Sequence, residues 1–275
     1  MFWWLSCLIV LGLLGLLWDF KLIAKPQMTV STKASVLVPT LFIPGYYGNR
    51  YSFGHMLWRM HKRGQLDKQV VAIVKRDGHV KLLGQLQPQT RAAVQVLYQR
   101  KSSRPNLQQS GLEAVITALQ QQADFDQVNL VAHSMGGVTA VLYMLSQPRV
   151  PVGKMVTIAA PLNDLEVAEN GPISNWRITA HGPEHIEPIF AQFQATIQNL
   201  PPELRWLNIA GDILIGGRND GVVSVNSSFA IRFLVKGKID RYIEVIIRGP
   251  RATHSLLHEN PLVDRDISQF LWPRR

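Results

Sequence analysis

Val128-Asn129-Leu130-Val131-Ala132-His133-Ser134-Met135-Gly136-Gly137 decides how the whole chain is read. Five residues of buried-strand character lead to a serine, and two glycines then open an apolar run, Val138-Thr139-Ala140-Val141-Leu142, that reads as a helix. Ser134 therefore stands at a strand-to-helix turn, the context of a nucleophile elbow. There the positions two before and two after the serine want almost no side chain, because the flanking backbones press together. Those positions are Ala132 and Gly136. The same ten residues also describe a buried strand followed by a serine-capped helix, so the rest of the chain has to separate the two readings.

At 275 residues the chain admits one large or two small domains, and 47% hydrophobic against 17% charged residues is ample for a sizeable core. The single cysteine, Cys7, excludes an internal disulfide and a cysteine-based metal site, and no His-Glu-x-x-His pattern occurs. Neither a metal nor another cofactor is expected. The net charge of +10 is spread without a block of five or more like charges. Such a balance suits an anionic partner, for instance a phospholipid surface or an acidic wall polymer, or it serves solubility alone. No nucleic-acid-binding module is recognisable, and no nucleic-acid partner is expected.

Phe2 to Leu17 holds sixteen residues without a charge, followed by Trp18-Asp19-Phe20 and then Lys21 and Lys25. A helix through Leu17 reaches about 24 Å, near the lower limit for crossing a bilayer. No basic residue precedes the run and no Ala-x-Ala site follows it, so the expectation is an uncleaved membrane anchor over 1–24 and a polar linker over 25–34.

Ser35-Val36-Leu37-Val38 and Thr40-Leu41-Phe42-Ile43 read as extended apolar segments, the second ending at Pro44-Gly45-Tyr46-Tyr47-Gly48. Phe53, Met56, Leu57 and Met60 share one helix face, with Ser52 as its cap. Val70 to Val74 is a strand and Val80 to Leu86 another, while Gln87 to Arg104 reads as polar with a modest apolar stripe. Leu112, Val115, Ile116 and Leu119 mark a helix over Gly111 to Gln122, ahead of the Val128 strand, and Met155 to Ala159 is a strand again. This alternation predicts an α/β fold over residues 35–275 with a mostly parallel, doubly wound sheet and a site outside the carboxyl ends of its strands. Asn163 to Pro202 is too long for a simple connection and is expected to insert a cap or lid at about 163–203, with a surface excursion as the plainer alternative. Trp206 to Ala210 and Tyr242 to Ile247 resume the sheet, and Asn260-Pro261 starts a closing helix.

Three strand ends then supply Ser134, Asp220 and His254, in the order serine, acid, histidine. A hydroxyl alone is a weak nucleophile; His254 would take its proton and pass it to the leaving group, while Asp220 fixes the imidazole tautomer. The oxyanion formed on attack needs two fixed donors, expected to be the backbone N–H groups of Met135 and Tyr46. Asp212 also follows a strand end and rivals Asp220, which is preferred because an Asp-Gly turn followed by Val222-Val223 suits an acid loop. The plainer account of Asp212 is a turn residue bonding its own backbone. His258 rivals His254 but adjoins the Asn260 cap. His133 reads as packing beside the elbow, and His55, His61, His79, His181 and His185 as surface or packing residues.

On these residues the chain resembles an α/β-hydrolase, and within that superfamily the group called domain of unknown function 915, often described as cell-surface hydrolases. The resemblance runs from Ser35 to the C-terminus and rests on Pro39 to Gly48, the Ser134 elbow, Asp220-Gly221-Val222-Val223, and His254 to Asn260. It implies the α/β-hydrolase fold and a secreted or surface-anchored serine hydrolase without a cofactor. Pro44 departs from the family, which has a histidine ahead of the loop glycine, and Ala132 replaces the first glycine of the elbow. The expected activity is hydrolysis of a small-molecule or lipid-like carboxyl ester through an acyl-enzyme. Pro44 is the reason to keep an alternative, a non-catalytic binding or scaffold protein of the same fold at the cell surface. Lys21, Lys25 and Lys33 all follow the apolar run and favour a cytoplasmic domain; a leading apolar segment on a bacterial-looking hydrolase usually exports it. An extracellular, membrane-anchored domain is the preferred expectation, with the cytoplasmic orientation its rival.

Overall fold

Runs such as Leu41-Phe42-Ile43 and Leu130-Val131-Ala132 have no polar face, so they are satisfied only as strands covered on both sides, the situation in a parallel sheet flanked by helices. The computed structural model describes residues 37–88, 91–164 and 176–273, all within the unit Ser35–Arg275. The anchor expected over 1–24 and the linker over 25–34 lie outside the described residues. Among those described, no helix is long and apolar enough to cross a membrane.

The elements in chain order are β1 (Thr40–Ile43), α1 (Gly54–Lys62), β2 (Asp67–Val74), β3 (Val80–Gly84), β4 (Ala92–Tyr98), α2 (Pro105–Gln120), β5 (Val128–His133), α3 (Met135–Leu145), β6 (Val152–Ile158), β7 (Ile178–Thr179), β8 (Gly182–Pro183), α4 (Pro188–Thr196), β9 (Arg205–Asp212), α5 (Val225–Phe229), α6 (Arg232–Val235), β10 (Arg241–Arg248) and α7 (Pro261–Leu271). Eight strands form one sheet in the order β10-β9-β6-β5-β1-β4-β2-β3. Every neighbouring pair is parallel except the β2–β3 hairpin. One core, against the face covered by α2, α3 and α4, includes Leu112, Val138 and Phe193; the other, beneath α1 and α7, includes Met56, Leu57 and Ile267. All eleven residues of α3 are buried, which is why that helix is apolar all round instead of striped. This is the mostly parallel, doubly wound α/β sheet that the alternation predicts.

Three local expectations are corrected. β4 lies inside the stretch that reads as polar, yet it is a buried strand between β1 and β2. Its signal is masked by Ala92, Ala93 and Gln95, residues of low strand propensity; buried Gln95 accepts a hydrogen bond from Lys68 Nζ and donates one to the Arg50 carbonyl, both at 2.8 Å. Ser52 does not cap α1, whose N-cap is Phe53; the Ser52 hydroxyl accepts from the Asn49 N–H instead. α2 starts at Pro105, six residues before the expected start at Gly111, and there a missing N–H costs nothing.

Of the segment anticipated as a cap at about 163–203, residues 165–175 lie outside the described part. The remainder forms the small β7–β8 pair and α4, whose Ile189, Phe190 and Phe193 join the core shared with α2 and α3. Asn163 ties the segment down by donating to the His185 carbonyl at 2.7 Å and accepting from the Glu187 N–H at 3.0 Å.

Arg59 of α1 holds α7 in place. Its Nε and Nη2 donate to the two carboxylate oxygens of Asp264 at 2.8 and 2.9 Å, and Nη1 donates to Glu259 at 2.8 Å. The bond to Asp264 above all pushes the guanidinium further above its ordinary pKa. Asp264 has no solvent exposure, so deleting Arg59 strands a buried charge, with Arg63 3.7 Å away as the nearest remaining cation. Arg59→Ala is expected to cost about 3–5 kcal/mol of stability, seen as a lower urea midpoint at unchanged slope. A loss below about 1 kcal/mol would mean that Arg63 substitutes for it.

Candidate active site

β5 ends at His133 and α3 begins at Met135, which leaves one residue to reverse the chain. Ser134 does so at φ 55° and ψ −132°, a conformation that costs a non-glycine residue about 1–3 kcal/mol. Two backbone bonds hold it there: the Ser134 N–H donates to the Ile158 carbonyl at 2.9 Å, and its carbonyl accepts from the Gly137 N–H at 2.8 Å. The turn also requires Gly136, where a Cβ would lie 2.5 Å from the Pro44 carbonyl oxygen and 2.7 Å from that of Ile43. At Gly45 a Cβ would lie 2.8 Å from that of Ser134, so the loop after β1 rests directly against the serine. Ala132, two residues before the serine, sits fully buried in register with Ile43 and Thr157.

The turn after β10 delivers His254. Its Nε2 lies 2.9 Å from Ser134 Oγ and its Nδ1 2.8 Å from Asp220 Oδ2. The second carboxylate oxygen of Asp220 accepts from the Val222 and Val223 N–H groups at 2.9 and 2.7 Å, which is the structural use of the Asp-Gly-Val-Val sequence. Asp220 is 1% exposed and His254 14%. The two are joined twice, since the His254 N–H also donates to the Asp220 carbonyl at 2.9 Å. A carboxylate facing Nδ1 favours the tautomer with hydrogen on Nδ1, leaving Nε2 to accept the serine proton.

The rivals stand elsewhere. Asp212 accepts from the Leu214 N–H at 3.0 Å and approaches Arg248 at 3.8 Å, the local turn that its position suggests. His258 Nδ1 meets Glu259 at 3.2 Å. His133 donates from Nε2 to the His254 carbonyl at 2.9 Å, and its ring lies 4.7 Å from that of His254 and 4.9 Å from that of His258. Burial first, then the neighbouring His254 and His258, hold His133 well below its ordinary pKa; burial also lowers His258. A histidine kept neutral in the fold but free to protonate in the unfolded chain makes stability fall as pH drops below about 6.5, by up to about 1.4 kcal/mol per pH unit. His133→Asn is expected to lose less stability than the wild type between pH 7 and pH 5 in urea titrations. Equal losses in the two proteins would show that His133 titrates normally.

A cleft of about 400 Å³ opens in front of Ser134, lined among others by Tyr46, Tyr47, Tyr51, Asn49, Ser255 and Glu259. His55 lines it too, 3.4 Å from Glu259; nothing local in the sequence sets this histidine apart, because the start of α1 brings it there. Met135 is the first residue of α3, so its N–H has no partner within the helix. Tyr46 belongs to the loop after β1, which is braced by bonds from Gly48 N–H to the Gly45 carbonyl and from Tyr47 N–H to the Lys101 carbonyl, each 3.0 Å. These backbone bonds fix the loop that follows Pro44. No group of three or more His, Cys, Asp or Glu among the described residues is placed to hold a metal ion. A serine hydroxyl bonded to an imidazole, whose far nitrogen meets a buried carboxylate, can shed its proton as it attacks an electrophile.

A family model described as alpha/beta hydrolase of unknown function (DUF915) matches residues 27–274. No curated protein matches the chain. Among solved structures, the lin2722 gene product from Listeria innocua is similar at 27% identity and a TM-score of 0.77, over 86% of this chain and 95% of that one. A candidate cell surface hydrolase from Lactobacillus plantarum WCFS1 is 20% identical with a TM-score of 0.68, over 88% of this chain and 94% of that one. Est1E from Butyrivibrio proteoclasticus, with ferulic acid bound, is 12% identical with a TM-score of 0.51, over 86% and 88% of the two chains. At such identities the last two speak for the fold alone.

Proposed function

The chain belongs to the alpha/beta hydrolase family of unknown function identified by that match, and from this premise we propose that it is a serine hydrolase of carboxyl esters working through an acyl-enzyme. The observation that carries the reading is the unbroken hydrogen-bonded path from Ser134 through His254 to buried Asp220. In this reading Ser134 Oγ attacks the ester carbonyl as His254 Nε2 takes its proton, and Asp220 stabilises the imidazolium. The backbone N–H groups of Met135 and Tyr46 receive the oxyanion, each contributing about 2.7–4 kcal/mol to lowering the barrier. His254 then protonates the departing alkoxide, and a water activated by the same imidazole releases the acid and restores Ser134.

The strained serine supports catalysis over scaffolding. A purely structural turn has no need of a left-handed serine pressed against Gly45 and aimed at a histidine. The substrate is a small-molecule or lipid-like ester, and the enzyme is membrane-anchored through residues 1–24 with its domain outside the cell.

The test is labelling with a fluorophosphonate probe, followed by mass spectrometry of the labelled peptide. One adduct per chain, on Ser134, is the expected result. A folded wild type that takes up no probe, or an adduct on another serine, sinks the proposal.

A further inference from the structure

The loop between β9 and the Asp220 turn holds its own shape. The Ile213 N–H donates to the Asn219 carbonyl at 2.9 Å, and Asn219 Nδ2 donates to the Gly216 carbonyl at 2.9 Å. Its backbone is left-handed at Leu214 (φ 63°), Gly216 (φ 83°), Gly217 (φ 75°) and Arg218 (φ 46°). Glycine adopts that conformation freely, whereas leucine and arginine lose about 1–2 kcal/mol each. The outcome is that Leu214 and Ile215 stand 64% and 83% exposed. A single exposed aliphatic residue needs no explanation, but a strained loop that holds two of them outward does.

Other apolar side chains accompany them. Tyr46 and Tyr47 after β1, Val222 beyond Asp220 and Leu256 after β10 are exposed as well. All these loops follow the carboxyl ends of strands, on the edge of the sheet where Ser134 opens. Exposed cations sit on the same edge: Arg50, Lys101, Arg104, Arg218 and Arg251. Among the described residues of this edge Asp212 and Asp220 are buried, Glu259 is paired to Arg59 and Glu187 to His185, while Glu184, paired to Arg177, and Asp77 in the distant β2–β3 turn are exposed. The opposite edge exposes cations too, among them Lys62, Arg63, Arg149, Lys236, Lys238 and Arg241, but intersperses them with the exposed acids Asp124, Asp126, Glu203 and Asp240.

We propose that this edge docks on an anionic lipid bilayer. Leu214 and Ile215 enter the boundary between headgroups and acyl chains, the tyrosines lie at headgroup level, and the arginines and lysine meet lipid phosphates. A soluble acidic polymer would satisfy the cations and leave the aliphatic pair in water, so lipid is the occupant that fits both. Docking brings the Ser134 cleft against the membrane, where a lipid-like ester enters without crossing water. That use of the surface rests on the hydrolase proposal, and the docking itself does not.

The test uses the full chain with Cys7→Ser, so that one introduced cysteine carries an environment-sensitive bimane, at Ile215→Cys in one protein and at Asp126→Cys on the opposite edge in another. Each is added to vesicles with brominated acyl chains, made of phosphatidylcholine alone or mixed with phosphatidylglycerol, in about 0.1 M salt. An anchor over 1–24 would hold both proteins on both vesicles, so only quenching specific to position and charge counts. Quenching is expected at 215, only with phosphatidylglycerol present, and reduced about tenfold or more by Arg218→Glu with Arg251→Glu. Absent quenching at 215, equal quenching at 126, or indifference to phosphatidylglycerol overturns the proposal. So does shielding of the 215 bimane from iodide by soluble polyphosphate without lipid, which would assign the edge to an acidic polymer. Repeating the measurement in Ser134→Ala separates the two proposals, because docking survives loss of the nucleophile and probe labelling survives loss of docking.

Discussion

Ser134→Ala is expected to lower kcat on p-nitrophenyl acetate by about six orders of magnitude, leaving only the acceleration that oxyanion donors and binding supply without a nucleophile. The size follows from the connected geometry. His254 and Asp220 act on the reaction only through the serine hydroxyl, 2.9 Å from the imidazole, so its removal silences all three together. The fold should hardly notice. Alanine at φ 55° is about as strained as serine, the two backbone bonds of residue 134 remain, and one partly buried hydrogen bond is worth about 1 kcal/mol. A midpoint of thermal unfolding within about 5 °C of the wild type is the matching expectation. A folded variant that keeps more than about a hundredth of wild-type turnover would remove Ser134 from the nucleophile's role.

The elbow was readable in the sequence because its constraints are short-range. A buried strand, one serine and two glycines fall within ten residues, and each glycine answers to a neighbour that the parallel sheet must supply: the Pro44 carbonyl for Gly136, and Ala160 for Gly137. The order of Ser134, Asp220 and His254 was equally legible, as each follows the carboxyl end of a hydrophobic strand. Distinguishing Asp220 from Asp212 depended on one local feature. The Asp-Gly turn presents two backbone N–H groups to one carboxylate oxygen and frees the other for the histidine.

What stayed hidden depends on contacts that no window of sequence contains. β4 escaped because the alanines and the glutamine of a central strand look like those of a polar connection until Lys68 and the Arg50 carbonyl are seen to satisfy Gln95. His55 reaches the cleft because α1 packs beside the turn after β10. His133 looked like packing and does pack, but its bond to the His254 carbonyl also ties the elbow to the loop carrying the base. The tip at Leu214 and Ile215 was invisible as well, since exposure of an apolar pair is a property of the folded loop.

Asp220→Asn is expected to lower kcat by about four orders of magnitude, whereas Asp212→Asn leaves it within a few fold. In the wild type one oxygen of Asp220 accepts from two backbone N–H groups and the other faces His254 Nδ1. Asparagine has one acceptor end. The two amides of Val222 and Val223 claim it, since turning the NH₂ toward them would oppose donors to donors in a buried site. The NH₂ then points at His254 Nδ1 and can bond only to its lone pair, which shifts the imidazole hydrogen to Nε2, where it faces Ser134 Oγ. An imidazole in that tautomer cannot accept the serine proton, although every heavy atom remains in place. At position 212 the side chain merely accepts from the Leu214 N–H, a bond that the asparagine oxygen reproduces. Turnover of p-nitrophenyl acetate and rates of fluorophosphonate labelling, measured for both variants, decide the matter. A severe loss from Asp212→Asn with little change from Asp220→Asn would move the acid to the other strand end.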